Sequence, residues 1–266
     1  MRDRRNIRLL LAYDGSGYAG WQRQKKCLTI QGVLEEAIAT MTREEITLHG
    51  AGRTDAGVHA VGMVANFTTA ADIPCPGFLK GLNSILPPDI RILKAEEAEP
   101  GFHARRSAQA KTYCYRICNS PVQLPTDRLY SAHLPVPLDM DAIRSCITRL
   151  LGSHDFSSFE AAGSRDPRTG TGRGAVRNIL AAGIEQSAVP GSHEFLITGD
   201  GFLRHMVRNI IGTLLEVGRG KITARDFSAI ISARDRNAAG PTAPAHGLFL
   251  KKVHYESVVD NQVAGL

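Results

Sequence analysis

The stretch GAGRTDAGVHAVGMVANFT, residues 50–68, carries two different signals in one line. Its second half alternates: Val61, Met63, Ala65 and Phe67 fall on one side and Gly62, Val64, Asn66 and Thr68 on the other, the period of two that a strand requires. Its first half holds three glycines in eight residues, Gly50, Gly52 and Gly57, which let the backbone turn sharply and come close to a neighbour. A tight loop feeding a strand therefore displays Arg53 and Asp55 together. Residue chemistry alone leaves three readings of that pair open: an ion pair within a turn, a nest for phosphate, or a catalytic carboxylate.

Outward from this loop, the pattern of elements repeats once. A strand at about 6–13 precedes a helix at about 30–41, with Val33, Leu34, Ala37, Ile38 and Met41 on one face and Thr29 as its cap. A helix near 76–85 and a strand near 89–96 follow. The second copy opens with a strand at 111–118 and a helix at about 139–151, capped by Asp139 and ended by Gly152. A hairpin at 176–186 and 194–198, a helix over 202–217, a short helix with a capping-box pattern at Thr223 and Asp226, and a strand at 248–254 complete it. The predicted fold class is α/β of the α+β kind. Two pseudo-symmetric βαββαβ-like units, ferredoxin- or RRM-like, form a largely antiparallel central sheet with a cleft between them. The N-terminal α/β unit is placed at 1–105 and the C-terminal one at 106–266. Two segments stand outside this scheme. The Arg- and Gly-rich run 164–174 is either a surface loop that meets phosphates or a solvated insertion, and the tail 257–266 is loosely held.

The whole chain narrows the function classes. At 266 residues and 28.8 kDa it can bury a sizeable core. Its net charge of +6 and isoelectric point near 9.2 favour an anionic partner such as nucleic acid. The apolar runs are far shorter than the roughly 20 residues a membrane span needs. The basic-then-apolar start imitates a signal peptide, but Asp14 and Gly15 cut it short, so residues 7–12 read as a strand. Cysteines at 27, 75, 114, 118 and 146 form no CxxC pair, which points to a reduced, cytoplasmic setting. The histidines fall in no ligand pattern, and neither metal nor cofactor is assigned.

GRTDAGVHA matches, almost letter for letter, the signature around the catalytic aspartate of TruA-type pseudouridine synthases. Further blocks resemble that family in the expected order: AYDGSGYAGWQRQ at 12–24, FHARRSA from Phe102, KTYCY, HDFSSF at 154–159, FLRHMVRNIIGTLLEVG from Phe202 and AGPTAPAHGLFL near the end. The resemblance implies an isomerase in which Asp55 is the nucleophile, Tyr113 packs on the target base and serves the C5 proton transfer, and Arg208 pairs with Asp55. It implies that Arg53 helps extrude the target nucleotide and that Leu203 lines the base pocket. Thr54, His59, Arg105 and Lys111 are grouped with them as RNA-binding residues, and Arg106, Arg168 and Arg173 as backbone contacts. Tyr115 reads as a half-buried strand aromatic, and Trp21 as a packing anchor. The implied partners are tRNA, through uridines 38, 39 and 40 of the anticodon stem-loop, and a second subunit in a homodimer. The run 164–174 does not correspond to the family blocks. The alternative, an RNA-binding or tRNA-folding protein with little catalysis, needs none of Asp55, Tyr113 and Arg208.

Overall fold

The structure is a computed structural model that describes residues 4–164, 174–187, 189 and 191–256. Arg168 and Arg173, with most of the Arg- and Gly-rich run, and the tail 257–266 lie outside the described residues. The chain divides into two compact units. One comprises the described residues up to Gln109 together with those from Phe249 onward; the other is Ala110–Leu248.

In the first unit β1 (Arg5–Tyr13) is followed by α1 (Ile30–Thr42), β2 (His49–Gly50), β3 (His59–Thr69), α2 (Cys75–Ile85) and β4 (Ile90–Ala98), the predicted βαββαβ order. β1 lies between β3 and β4, antiparallel to both, and β2 pairs antiparallel with β3 at Asn66 and Ala65. Thr29 caps α1 by accepting the Gly32 N–H at 3.3 Å. The face of α1 differs from the expected one at its margins: Val33 and Met41 are only half-buried, whereas Glu35 is buried. The Glu35 carboxylate is offset by donors, accepting from Leu48 N at 3.1 Å, Gln31 Nε2 at 3.2 Å and Arg23 Nη1 at 3.0 Å.

The alternation read in β3 holds as a strand but not as one wet face and one dry face. Val61 is 46% exposed, while Gly62, Val64 and Asn66 on the opposite side are buried. The reason is that both faces are covered. A side chain at Gly62 would run into the carbonyl of Lys251, 2.2 Å from an ideal Cβ. Asn66 is satisfied by its neighbours, donating to Asn6 Oδ1 at 2.9 Å and accepting from Ala104 N at 2.8 Å.

The second unit begins with β5 (Ala110–Cys118) and β6 (Ala132–His133), which pair in parallel. α3 (Met140–Ile147) follows, and Asp139 caps it by accepting from the N–H groups of Asp141 and Ala142 at 3.1 and 2.9 Å. This helix is shorter than predicted: the chain tightens into a 3₁₀ turn at Thr148–Leu150 and Gly152 opens β7 (Gly152–Asp155) instead of closing a helix. β8 (Val176–Gln186) and β9 (Ser192–Gly199) form the expected hairpin, and the order β5-β9-β8-β7 is antiparallel throughout. α4 (Met206–Gly218) and α5 (Ala224–Ala233) complete the unit, α5 with its Thr223–Asp226 capping box in place.

α4 starts four residues later than the sequence period suggests. His205 adopts a left-handed conformation, φ 60°, which breaks the helical path, so Phe202, Leu203 and Arg204 belong to a turn and not to the apolar stripe. β10 (Leu248–His254) then returns from Phe249 onward to the first unit, parallel to β3, with Phe249 opposite His59 and Leu250 opposite Ala60. The fold is α+β with largely antiparallel strands. Among the described residues, no helix is long and apolar enough to cross a membrane.

Candidate active site

In the first unit, the loop between β2 and β3 is held at three points. Ala51 N donates to Val64 O at 2.8 Å, Trp21 N donates to Thr54 O at 3.0 Å, and Val58 N donates to Asp55 O at 3.2 Å across a turn where Gly57 has φ 76°. Thr54 faces inward, 8% exposed, and its hydroxyl is 2.8 Å from the buried Tyr13 hydroxyl. With Thr54 committed inward, its neighbours emerge: Arg53 is exposed and Asp55 half-exposed. The consequence is a carboxylate and a guanidinium standing on backbone that cannot relax easily.

A second loop, Asp14 to Gly20, cradles the first. An ideal Cβ at Gly15 would lie 2.1 Å from Val58 O, and one at Gly20 would lie 2.6 Å from Thr54 O. His59, grouped with the RNA contacts from sequence, is 1% exposed. Its Nδ1 lies 3.1 Å from both Gly15 N and Asp14 Oδ1, and its ring stacks on Phe249 at 4.7 Å. The first contact uses an unprotonated Nδ1 and the second a protonated one, so the two alternate with the proton. Either way His59 fastens the cradle, which corrects the expectation of a direct RNA contact: a ring this deep has no surface to offer. Trp21 is buried as a packing anchor, with Gly50 so close that an ideal Cβ would sit 2.5 Å from the indole.

Gly20 combines that close approach with φ 92°, a conformation costly for any L side chain. Gly20→Ala is expected to destabilise the protein by about 1–3 kcal/mol and to lower activity, because the strain falls on the Thr54 carbonyl. Gly17→Ala provides the control, since its Cβ would meet nothing within 4 Å. Denaturant midpoints of the two variants check this; equal midpoints would remove the cradle from the account.

In the second unit, Tyr113 lies on β5 opposite Ile197, nearly buried, with the Phe202 ring edge-on at 4.9 Å. The adjoining Leu203 is half-buried in the turn before α4, and Lys111 is half-buried opposite Gly199. Arg208 lies in the first turn of α4. Its Nε donates to Ala243 O at 2.8 Å, while Ala243 N donates back to Arg208 O at 3.1 Å. A close approach makes this possible: an ideal Cβ at Gly212 would sit 1.7 Å from Pro241 O. The next residue, Pro244, accepts the hydroxyl of the buried Tyr115 at 2.9 Å. Burial holds that phenol far above its ordinary range, and the charge of Arg208 offsets only part of the rise. Tyr115 is thus fully buried where a half-buried aromatic was expected, and it braces the segment that aims Arg208.

The structure gathers Arg53, Thr54, Asp55 and His59 in one looped corner of the first unit. It sets Tyr113, Lys111, Leu203 and Arg208 on β5, α4 and the turn before α4 in the second. Arg105, exposed in the turn after Phe102, shares an open groove with Arg53. Sequence reasoning missed Tyr13, Gly20 and Ala243. The glycine spacing of 12–24 could have flagged Gly20; the carbonyl of Ala243 leaves no trace in residue type.

A family model described as tRNA pseudouridine synthase matches residues 10–105 and 146–256. Curated relatives agree in length as well as in sequence. The tRNA pseudouridine synthase A 1 of Desulfotalea psychrophila is 51% identical over 94% of the chain and all of its own length. Those named tRNA pseudouridine synthase A from Moorella thermoacetica and Lacticaseibacillus casei are 47% and 43% identical, each over 94% of this chain and 99% of theirs. The matched ranges take in both the pinned Asp55 loop and the Arg208 helix with its bracing segment, so the chain belongs to the tRNA pseudouridine synthase family.

Proposed function

We propose that the protein isomerises uridine to pseudouridine in tRNA, at positions 38, 39 and 40 of the anticodon stem-loop, working as a cytoplasmic homodimer. The observation that carries the reading is the Asp55 loop: a half-exposed carboxylate on a backbone pinned at Thr54 and Val58. Such a group can stabilise or attack an electron-poor centre without moving, which is what a reaction at an everted nucleotide requires. The C1′–N1 glycosidic bond breaks, the uracil turns while still enclosed, and a C1′–C5 bond forms. The C5 proton is then lost and N1 is left protonated, so atoms balance with no co-reactant.

Tyr113, nearly buried beside Phe202, suits the stacking surface and the C5 proton transfer. Arg208, braced through Ala243, suits the partner of the Asp55 carboxylate. Leu203 lines the base pocket, and Arg53 fills the gap left by the everted nucleotide. On this reading the N-terminal unit supplies the carboxylate and the C-terminal unit supplies the tyrosine and arginine.

Incubating the pure protein with unmodified tRNA transcripts and mapping pseudouridine site by site tests the proposal. New pseudouridine is expected at 38 to 40 and nowhere outside the anticodon arm. Modification elsewhere would replace the proposed site, and none at all would overturn the isomerase reading in favour of an RNA-binding or folding role.

A further inference from the structure

Below the Asp55 loop, the first unit has an open groove of about 630 Å³ whose lining includes Arg53, Arg105, Arg106, His49, His103 and Gln22 and, among the described residues, contains no carboxylate. Trp21 and Gly50 form part of its wall. In a chain with 26 acidic residues, a surface lined by three arginines and two imidazoles without one acid is built for an anion.

The arginines are placed by a specific device. Asn66 on β3 accepts from Ala104 N at 2.8 Å, fastening the 102–106 segment beside β2. His103 then stacks on His49 of β2, with ring centroids 4.6 Å apart and planes at 26°. The Nδ1 of His103 accepts the backbone N–H of Arg105 at 3.1 Å and of Arg106 at 3.4 Å, and the His103 backbone N–H donates to Ser107 Oγ at 3.1 Å. Accepting at Nδ1 requires the unprotonated ring. Burial, together with the charges of His49, Arg106 and Arg105, lowers the His103 pKa and so favours that form. Both arginine side chains are exposed. His49, also exposed, has one ring face backed by His103.

We propose that this groove binds the RNA strand flanking the target uridine, with Arg105 and Arg106 taking successive phosphates, the His49–His103 stack carrying a neighbouring base, and His103 acting as a positioning residue that fixes the arginine turn. This rests on the proposed isomerase reading and deepens it. Guanidinium forks match phosphate oxygens, and a backed aromatic ring accepts any base without choosing sequence. The groove therefore supplies affinity and register at the foot of the loop that presents Asp55, not discrimination between uridines.

Binding of an unmodified tRNA transcript, measured between 50 and 200 mM salt, tests it. Replacing Arg105 and Arg106 together by alanine is expected to flatten the slope of log affinity against log salt by about 1.4–1.8, the loss of two phosphate contacts. His49→Ala is expected to weaken binding about tenfold with the slope unchanged. His103→Ala should flatten the slope as the arginine pair does, at an unchanged denaturation midpoint. His103→Asn should restore it, because an Asn Oδ1 can accept the same i+2 N–H. A wild-type slope in the arginine double variant, or no difference between the Ala and Asn variants at His103, would overturn the proposal. Pseudouridine formation by the same preparations separates the two ideas: a groove variant with unchanged slope that still modifies tRNA sinks the groove alone, whereas wild-type protein that modifies nothing sinks the isomerase reading.

Discussion

Asp55→Ala is expected to reduce pseudouridine formation by at least about 10⁴-fold, the scale on which removal of a reacting group is felt, while tRNA affinity stays within about threefold of wild type. Both halves follow from how the loop is held. The pins are the Thr54 hydroxyl against Tyr13, the Thr54 carbonyl under Trp21 N, and the Asp55 carbonyl under Val58 N. These three run through Thr54 and through backbone groups, so alanine at Asp55 leaves each of them in place. Arg53 should therefore keep its place, and with it the groove contacts. Release of the C5 hydrogen from uridine-labelled tRNA under single-turnover conditions reads the first effect and equilibrium binding reads the second. Undiminished release from the variant would remove Asp55 from the chemistry.

Arg208→Ala should lower turnover by roughly 10²–10⁴-fold, corresponding to about 3–5 kcal/mol for leaving a carboxylate uncompensated in a water-poor site. Binding of tRNA should change far less. Lysine at this position should not recover the loss. The Arg208 Nε is spent on the Ala243 carbonyl, which directs the remaining fork, and a lysine ammonium cannot hold that carbonyl and reach a second partner at once. A phosphate contact would behave differently: affinity would fall as far as rate, and lysine would recover part of both. Measuring kcat and Kd for the Ala and Lys variants distinguishes the cases.

Much of this arrangement could be read from residue order, and the exceptions share a cause. The βαββαβ order of the first unit, the Thr29, Asp139 and Thr223 caps and the bounds of the strand at Leu248–His254 all rest on local rules, and the structure has them where those rules put them, although that strand belongs from Phe249 onward to the first unit and not to the second copy it was expected to complete. Helix α4 was misjudged because Leu203 continues its apolar period, and nothing in the letters Arg204-His205 announces a left-handed residue. Val61 and Gly62 were assigned faces from alternation alone, which cannot reveal that Lys251, nearly two hundred residues later, closes over the opposite side. His59 carries a functional-looking imidazole in a functional-looking loop; only its burial against Phe249 assigns it to support. The acceptor of the Arg208 Nε is a backbone carbonyl, identical in every residue type. What pattern reading lacks, in each instance, is the long-range partner.

The ring that backs His59 belongs to Phe249 on β10, about 180 residues after the end of β3. At translation speeds of about 5–20 residues per second, the ribosome reaches it roughly 10–40 s after it has finished β3. Until then the corner bearing the acidic loop lacks its final wall, so an unfinished or prematurely terminated polypeptide carries the signature motif without a settled catalytic corner.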